Sequence, residues 1–318
     1  MTGVNGLDSE RISEHKYTYD AEDNVTKVET KESKTQTAYD TLVSYAYDNM
    51  NNLTSETRGN VTTTYTYNLG NLVTNMTNKK GSGILSKYDY TYNYDGNVAT
   101  KTDSEYVTTY KYDPMNRLIY EKTPNGRYEY EYDAAGNRVS LDCVSYPYED
   151  YNISYVYDKN NRLIEENKTY PGNDEMYVMN YYYDNNGNLR TKTTGREDLY
   201  GPRDSYLGIY TKSELPRYVD TEYFTYNVFN QLTKYSSKGT SATYTYLPNG
   251  YRNSKTVDGT VTNFVWDGDN IALEADSSYN TTNILFRGRN LIRDSKGKTM
   301  SMTITAMLQV FSMITEQL

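Results

Sequence analysis

Between residues 128 and 132 the chain alternates aromatic and acidic positions: Tyr128, Glu129, Tyr130, Glu131, Tyr132. A period of two is the period of a strand, so the rings share one face and the carboxylates the other. The run breaks at Asp133-Ala134-Ala135-Gly136-Asn137, and alternation resumes with Val139 and Leu141. Aspartate at the break suits a turn, because its side chain hydrogen-bonds backbone amides ahead of it. Gly136 and Asn137 are the residues best able to take a positive φ. The stretch predicts a β-hairpin.

The same phrase recurs eleven times, starting at Tyr17, Tyr45, Tyr65, Tyr90, Tyr110, Tyr130, Tyr155, Tyr181, Phe224, Tyr244 and Phe264. Five of the ten intervals are 20 residues, which marks one supersecondary unit laid down repeatedly. The residues that define it are clearest in five copies. They are Tyr110, Tyr112 and Asp113; Tyr130, Tyr132, Asp133, Gly136 and Asn137; Tyr155, Tyr157 and Asp158; Tyr181, Tyr183, Asp184, Gly187 and Asn188; and, in the last copy, Trp266 and Asp267. Second turns between repeats carry glycine as well, as in Pro124-Asn125-Gly126, Lys238-Gly239 and Asp258-Gly259, and Lys79 to Gly83 reads as a hairpin loop. Each repeat therefore holds two strands and two turns.

The fold class predicted is all-β: repeated hairpins forming a long, twisted and coiled antiparallel sheet. Two strands per repeat give roughly 10 Å of sheet, so eleven repeats give on the order of 100 Å. A sheet that long cannot stay flat, because strands twist with a fixed hand.

Along the chain this gives a lead-in at 1–16, repeats at 17–190, an insertion loop or degenerate repeat at 191–222, and repeats again at 223–297. The segment 298–318 is atypical: it has no tyrosine and four of the ten methionines. Met307, Val310 and Ile314 sit at helical spacing there. The codons of 301–316, read one nucleotide earlier, permit the repeat grammar again, so the tail is also a candidate frameshift product.

Composition changes the picture in two ways. A mean hydropathy of -0.88 would suit disorder, but 39 tyrosines supply large rings that pack while keeping a polar tip. The expectation is an ordered protein held by tyrosine contacts, without an oily core. A net charge of -9 and a pI near 4.9 argue against nucleic acid and anionic membrane surfaces as partners. No stretch has the length of a transmembrane helix, and the polar N-terminus lacks the apolar region of a signal peptide. Six Asn-X-Ser/Thr sequons between Asn24 and Asn167 follow from turn-then-strand grammar.

Catalytic and metal constellations are scarce. His15 is the sole histidine and Cys143 the sole cysteine, which removes conventional triads, His/Cys metal clusters and intrachain disulfides. Cys143 reads as a small buried or half-buried residue. The recurring aspartates stand at turn positions, where capping explains them. No phosphate loop occurs. No catalytic, cofactor-binding or metal-binding residue is assigned, and the chain is expected not to be an enzyme.

The phrase Tyr-x-Tyr-Asp-x-x-Gly-Asn, closest at Tyr130 to Asn137 and Tyr181 to Asn188, resembles the YD repeat of the Rhs family over roughly 17–297. That family includes bacterial polymorphic toxins, the C components of Tc toxins, wall-associated proteins and teneurins. The run Phe264 to Asn270, with Phe286-Arg287-Gly288 and Leu291 to Asp294, resembles the approach to the Rhs-associated core. The resemblance implies a strand ribbon spiralling into a shell around a C-terminal toxin or effector, on a secreted or cell-surface protein. The chain departs from the family where self-cleavage would reside: Asp113-Pro114-Met115-Asn116 is an ordinary repeat turn, and no closing core or toxin follows residue 297. The expectation is a partial shell segment, without self-cleavage or toxicity of its own. The alternative is a cell-surface or carbohydrate-binding module. Short Tyr-rich hairpins also resemble choline-binding and clostridial-toxin wall repeats, although those use Gly-Trp pairs and Trp266 is the single tryptophan here.

Overall fold

The computed structural model describes residues 14–32, 35–172, 175–198, 217–289 and 291–296. These residues form 24 β-strands and no helix. The described pairings are antiparallel and join strands adjacent in the chain, as a run of hairpins requires. The architecture is thus the all-β, repeated-hairpin antiparallel sheet that the alternation predicts. The tail at 298–318 and the first 13 residues lie outside the described residues.

The chain divides into two compact units, one made of residues 63–260, the other of residues 1–62 with 261–318. In the first, the strand Gly126–Tyr132 pairs with Arg138–Ser145, placing Tyr128 opposite Cys143 and Tyr130 opposite Leu141. Along that strand Tyr128, Tyr130 and Tyr132 are half-buried while Glu129 and Glu131 are exposed, so the alternation sorts rings from carboxylates. Register then shifts by one residue on reaching Tyr132, and does the same at Tyr92, Tyr157, Tyr183 and Tyr246. A bulge recurring at the second aromatic of each repeat adds local twist, a feature that simple alternation does not reveal. The strands Leu189–Asp198 and Arg217–Tyr226 run into the stretch read as an insertion and pair with each other, Thr191 opposite Tyr223. The intervening residues 199–216 lie outside the described residues.

The second unit contains what composition does not foresee, an aliphatic and aromatic core. Val28, Leu42, Val43 and Tyr45 from the first hairpins close on Phe286 and Ile292 from the last described ones. Phe286, Val28 and Val43 are wholly buried. His15 stacks on the Phe286 ring at 5.8 Å, and the guanidinium of Arg293 lies over that ring at 4.2 Å. The Arg289 backbone N–H donates to the Tyr45 hydroxyl, Arg58 donates to the Ile292 carbonyl, and Arg293 pairs with Glu32. A β-carbon on Gly288 would collide with the Tyr45 hydroxyl unless that ring shifted. Apart from Arg293 over Phe286, these contacts join residues more than 200 positions apart, which no local pattern encodes.

Candidate functional site

The repeated chemistry lies in the turns. Among the described residues eleven turns share one geometry, opening at Asp20, Asp48, Asn68, Asn93, Asp113, Asp133, Asp158, Asp184, Asn227, Leu247 and Asp276. In each, the opening residue's N–H donates to the carbonyl four residues on at 2.8–3.0 Å, and the N–H three residues on donates back. That third-following position takes a positive φ in every case; it is Gly136 (+94°) and Gly187 (+87°) in two repeats, Asn116 and Asn161 in two others.

Asn137 was an equal candidate for that conformation, but it has a different task. Its N–H donates to Asp133 Oδ1 at 2.8 Å and its Nδ2 to Asp133 Oδ2 at 2.8 Å. Asn188 does the same for Asp184, and Arg117 and Arg162 do it with a guanidinium for Asp113 and Asp158. The carboxylates of Asp133 and Asp184 are held below the usual range, chiefly by these asparagine side chains. Their oxygens are thereby occupied with turn closure, as capping predicts.

Between repeats, a hydroxyl ladder takes over. The second tyrosine of a repeat donates to the carbonyl of the residue that leaves the preceding turn. Tyr92 donates to Val73 at 2.5 Å, Tyr132 to Leu118 at 2.8 Å and Tyr157 to Arg138 at 3.0 Å. Tyr183 donates to Leu163 at 2.9 Å, Tyr246 to Leu232 at 2.7 Å and Tyr47 to Val25 at 2.9 Å. Cations of the preceding turn cover the same rings: Arg117 over Tyr132 at 4.7 Å and Arg162 over Tyr183 at 4.9 Å. Turn asparagines bridge neighbours too, Asn97 to Asn116 at 2.8 Å and Asn137 to Asn161 at 3.0 Å.

In five repeats the first aromatic faces a charged residue. The residue opposite Tyr110 is Glu121, opposite Tyr155 it is Glu166, and opposite Tyr90, Tyr181 and Tyr244 it is Lys101, Lys192 and Lys255. Opposite residues of an antiparallel pair share a face, so the aromatic face is threaded by charges. Burial raises Tyr110 to about 12, with Glu121 adding to the shift. Burial likewise raises the Glu121 carboxyl, opposed by Lys101. The signal was present in the sequence as a charge eleven residues after the ring, and reading each strand separately misses it. Cys143 is buried opposite Tyr128 and Tyr151. No group of three His, Cys, Asp or Glu residues able to hold a metal occurs among the described residues.

Two repeat boundaries differ from the sequence reading. After Phe264, Trp266 and Asp267 lead into a tight turn in which Asp267 pairs with Asn270 and Gly268 takes φ +56°, so Asp267 does not cap a turn of the common class. The common turn comes one hairpin later, at Asp276, where Asn280 donates from both its N–H and its Nδ2. No aromatic pair precedes it. The Asp-to-Asn spacing of four, shared with Asp133 and Asn137, is the cue that locates it.

Comparison with known proteins agrees with a repeat reading. The chain is 28% identical over 277 residues to the tRNA nuclease WapA of Bacillus subtilis (strain 168), covering 84% of this chain and 10% of that protein. It is 27% identical over 277 residues to the tRNA3(Ser)-specific nuclease WapA of Bacillus spizizenii, with the same coverage. The chain therefore spans about 10% of the length of the curated relatives it matches. No family model matches it. A porin-like protein from Bacteroides uniformis ATCC 8492 aligns at a TM-score of 0.27 and 12% identity, over 65% of this chain and 84% of that one, too low a score to link the two.

Proposed function

We infer that this chain is a structural segment of a larger YD-type repeat protein, carried on the cell surface or secreted, and that it encloses or presents a C-terminal effector without chemistry of its own. One observation carries the reading: the residues that recur are spent on holding repeats together. Turn carboxylates accept backbone amides, and second-tyrosine hydroxyls are given to the carbonyls of the preceding repeat. Similarity to far longer nucleases is consistent with a segment that scaffolds an activity residing elsewhere. A second reading, adhesion to wall carbohydrate, draws on exposed rings at turns and loops, Tyr94, Tyr146, Tyr148 and Phe229.

The test appends a passenger enzyme after Leu318 and compares the intact chain with a Tyr132→Ala, Tyr157→Ala variant. Slower proteolysis of the passenger on the intact chain supports enclosure, and equal digestion overturns it. Retention of the chain on purified cell-wall sacculi, lost when Tyr94 and Phe229 become serine, favours the adhesive reading.

A further inference from the structure

The residue before the first aromatic of a repeat, and the residue between its two aromatics, point away from the ring face by strand alternation. Across the eleven repeats these positions hold Thr, Ser, Asn, Ala, Val or a charged residue, with two exceptions. Tyr182 stands between Tyr181 and Tyr183, and Tyr223 stands before Phe224. Both are exposed, at 50% and 55%, while the aromatics beside them are half-buried. Among the described residues no hydrogen bond or ring contact engages either one. The register brings them together: Thr191 pairs with Tyr182 on one side and with Tyr223 on the other. Opposite residues share a face, so two rings flank one short side chain. Two strand spacings set those rings roughly 10 Å apart. Asn180, Thr193 and Thr221 form the next row of the same face, and Thr225 follows Tyr223 along it.

We propose that Tyr182, Thr191 and Tyr223 form a binding platform for a β-1,4-linked chain of uncharged sugars. An extended β-1,4 chain turns over at each sugar and presents the same face once per disaccharide, a distance close to the ring separation. The negative face of a tyrosine ring attracts the C–H groups of a sugar ring. The flanking hydroxyls and amide both donate and accept, as sugar hydroxyls do. None of the flanking residues is charged, and a net charge of -9 disfavours an acidic polymer. A proline-rich helix repeats at a similar distance, roughly 9 Å, but its carbonyls only accept and so use half of what that flank offers. The inference rests on the adhesive reading, not on enclosure, and gives it a site on the sheet face away from the turn rings.

The experiment titrates the full chain with N-acetylchitohexaose by calorimetry, beside maltohexaose, whose α-1,4 linkage curls the chain. Tyr182→Thr and Tyr223→Thr install the residue that other repeats carry at the same two positions, as at Thr91 and Thr109, and circular dichroism checks that the sheet is kept. Binding of N-acetylchitohexaose is expected, weakened about tenfold by each substitution, with no binding of maltohexaose. No binding of N-acetylchitohexaose, equal binding of maltohexaose, or binding that survives both substitutions overturns the proposal. Capture of a polyproline decapeptide by the two rings in place of the sugar overturns it as well. Retention on sacculi separates this site from the broader reading. Retention lost through Tyr94 and Phe229 alone, without binding of N-acetylchitohexaose, keeps adhesion and removes the platform. Binding of N-acetylchitohexaose without retention keeps the platform and removes adhesion to the wall.

Discussion

Removing one hydroxyl tests the ladder at its simplest. Tyr132→Phe deletes the 2.8 Å bond to the Leu118 carbonyl and leaves the ring beneath Arg117 in place. A neutral intramolecular hydrogen bond contributes about 1 kcal/mol, and the Leu118 carbonyl, half-buried, loses its inter-repeat donor. The expected loss is about 1 kcal/mol. Tyr132→Ala also deletes the ring and its cation–π contact, and should cost about 3 kcal/mol or more. Glu131→Ala, one residue away on the exposed face, should stay within about 0.5 kcal/mol. Because stability in a repeat array is a sum of local and nearest-neighbour contributions, a single melting midpoint is a poor gauge. Amide exchange resolved along the chain is the suitable assay. Protection should drop in the strands Leu118–Thr123 and Gly126–Tyr132, and little beyond the adjacent repeats. If Tyr132→Phe leaves those strands unchanged, or if Glu131→Ala matches Tyr132→Ala, the ladder does not couple repeats.

Three further outcomes follow from the same geometry. Phe286→Ala, which opens a wholly buried site under His15 and Arg293, should cost about 3–5 kcal/mol and expose Val28 and Val43 by exchange, while residues 63–260 keep their protection. Gly136→Ala should cost about 1–2 kcal/mol by chemical denaturation from its φ of +94° alone, since nothing lies within 4 Å of an added β-carbon. Burial against Phe286 lowers the pKa of His15, and Asp267 and Glu32 oppose that shift. The unfolded chain therefore takes up the proton first, so stability of the unit containing Phe286 falls as pH drops below about 6.5. His15→Phe should flatten that slope when amide exchange of Val28 and Val43 is followed across a pH series.

Local information carried far in this chain. Alternation at Tyr128 to Tyr132 fixed which side chains are half-buried, and the Asp-to-Gly turns were legible because an aspartate Oδ1 accepts amides ahead of it and glycine takes the positive φ. What stayed hidden was relational. The pairing of Tyr110 with Glu121 requires the hairpin register, and the hydroxyl bond from Tyr132 to Leu118 requires two repeats side by side. The core of Val28, Val43, Phe286 and Ile292 requires contacts across more than 200 residues. The turn at Asp276 has no aromatic pair before it to mark it, and the Asp276-to-Asn280 bond pattern is what defines the turn.

If this chain scaffolds and does not catalyse, it leaves intact the tRNA that its two relatives are named for cleaving. Purified chain should be incubated with total tRNA beside buffer and a heat-treated control. No cleavage above background is expected: Tyr110 and Tyr128 stand opposite the half-buried Glu121, Lys101 acts on its carboxyl, and the sole histidine is stacked on Phe286. Cleavage that co-purifies with the chain and disappears in Glu121→Gln or His15→Phe would contradict it.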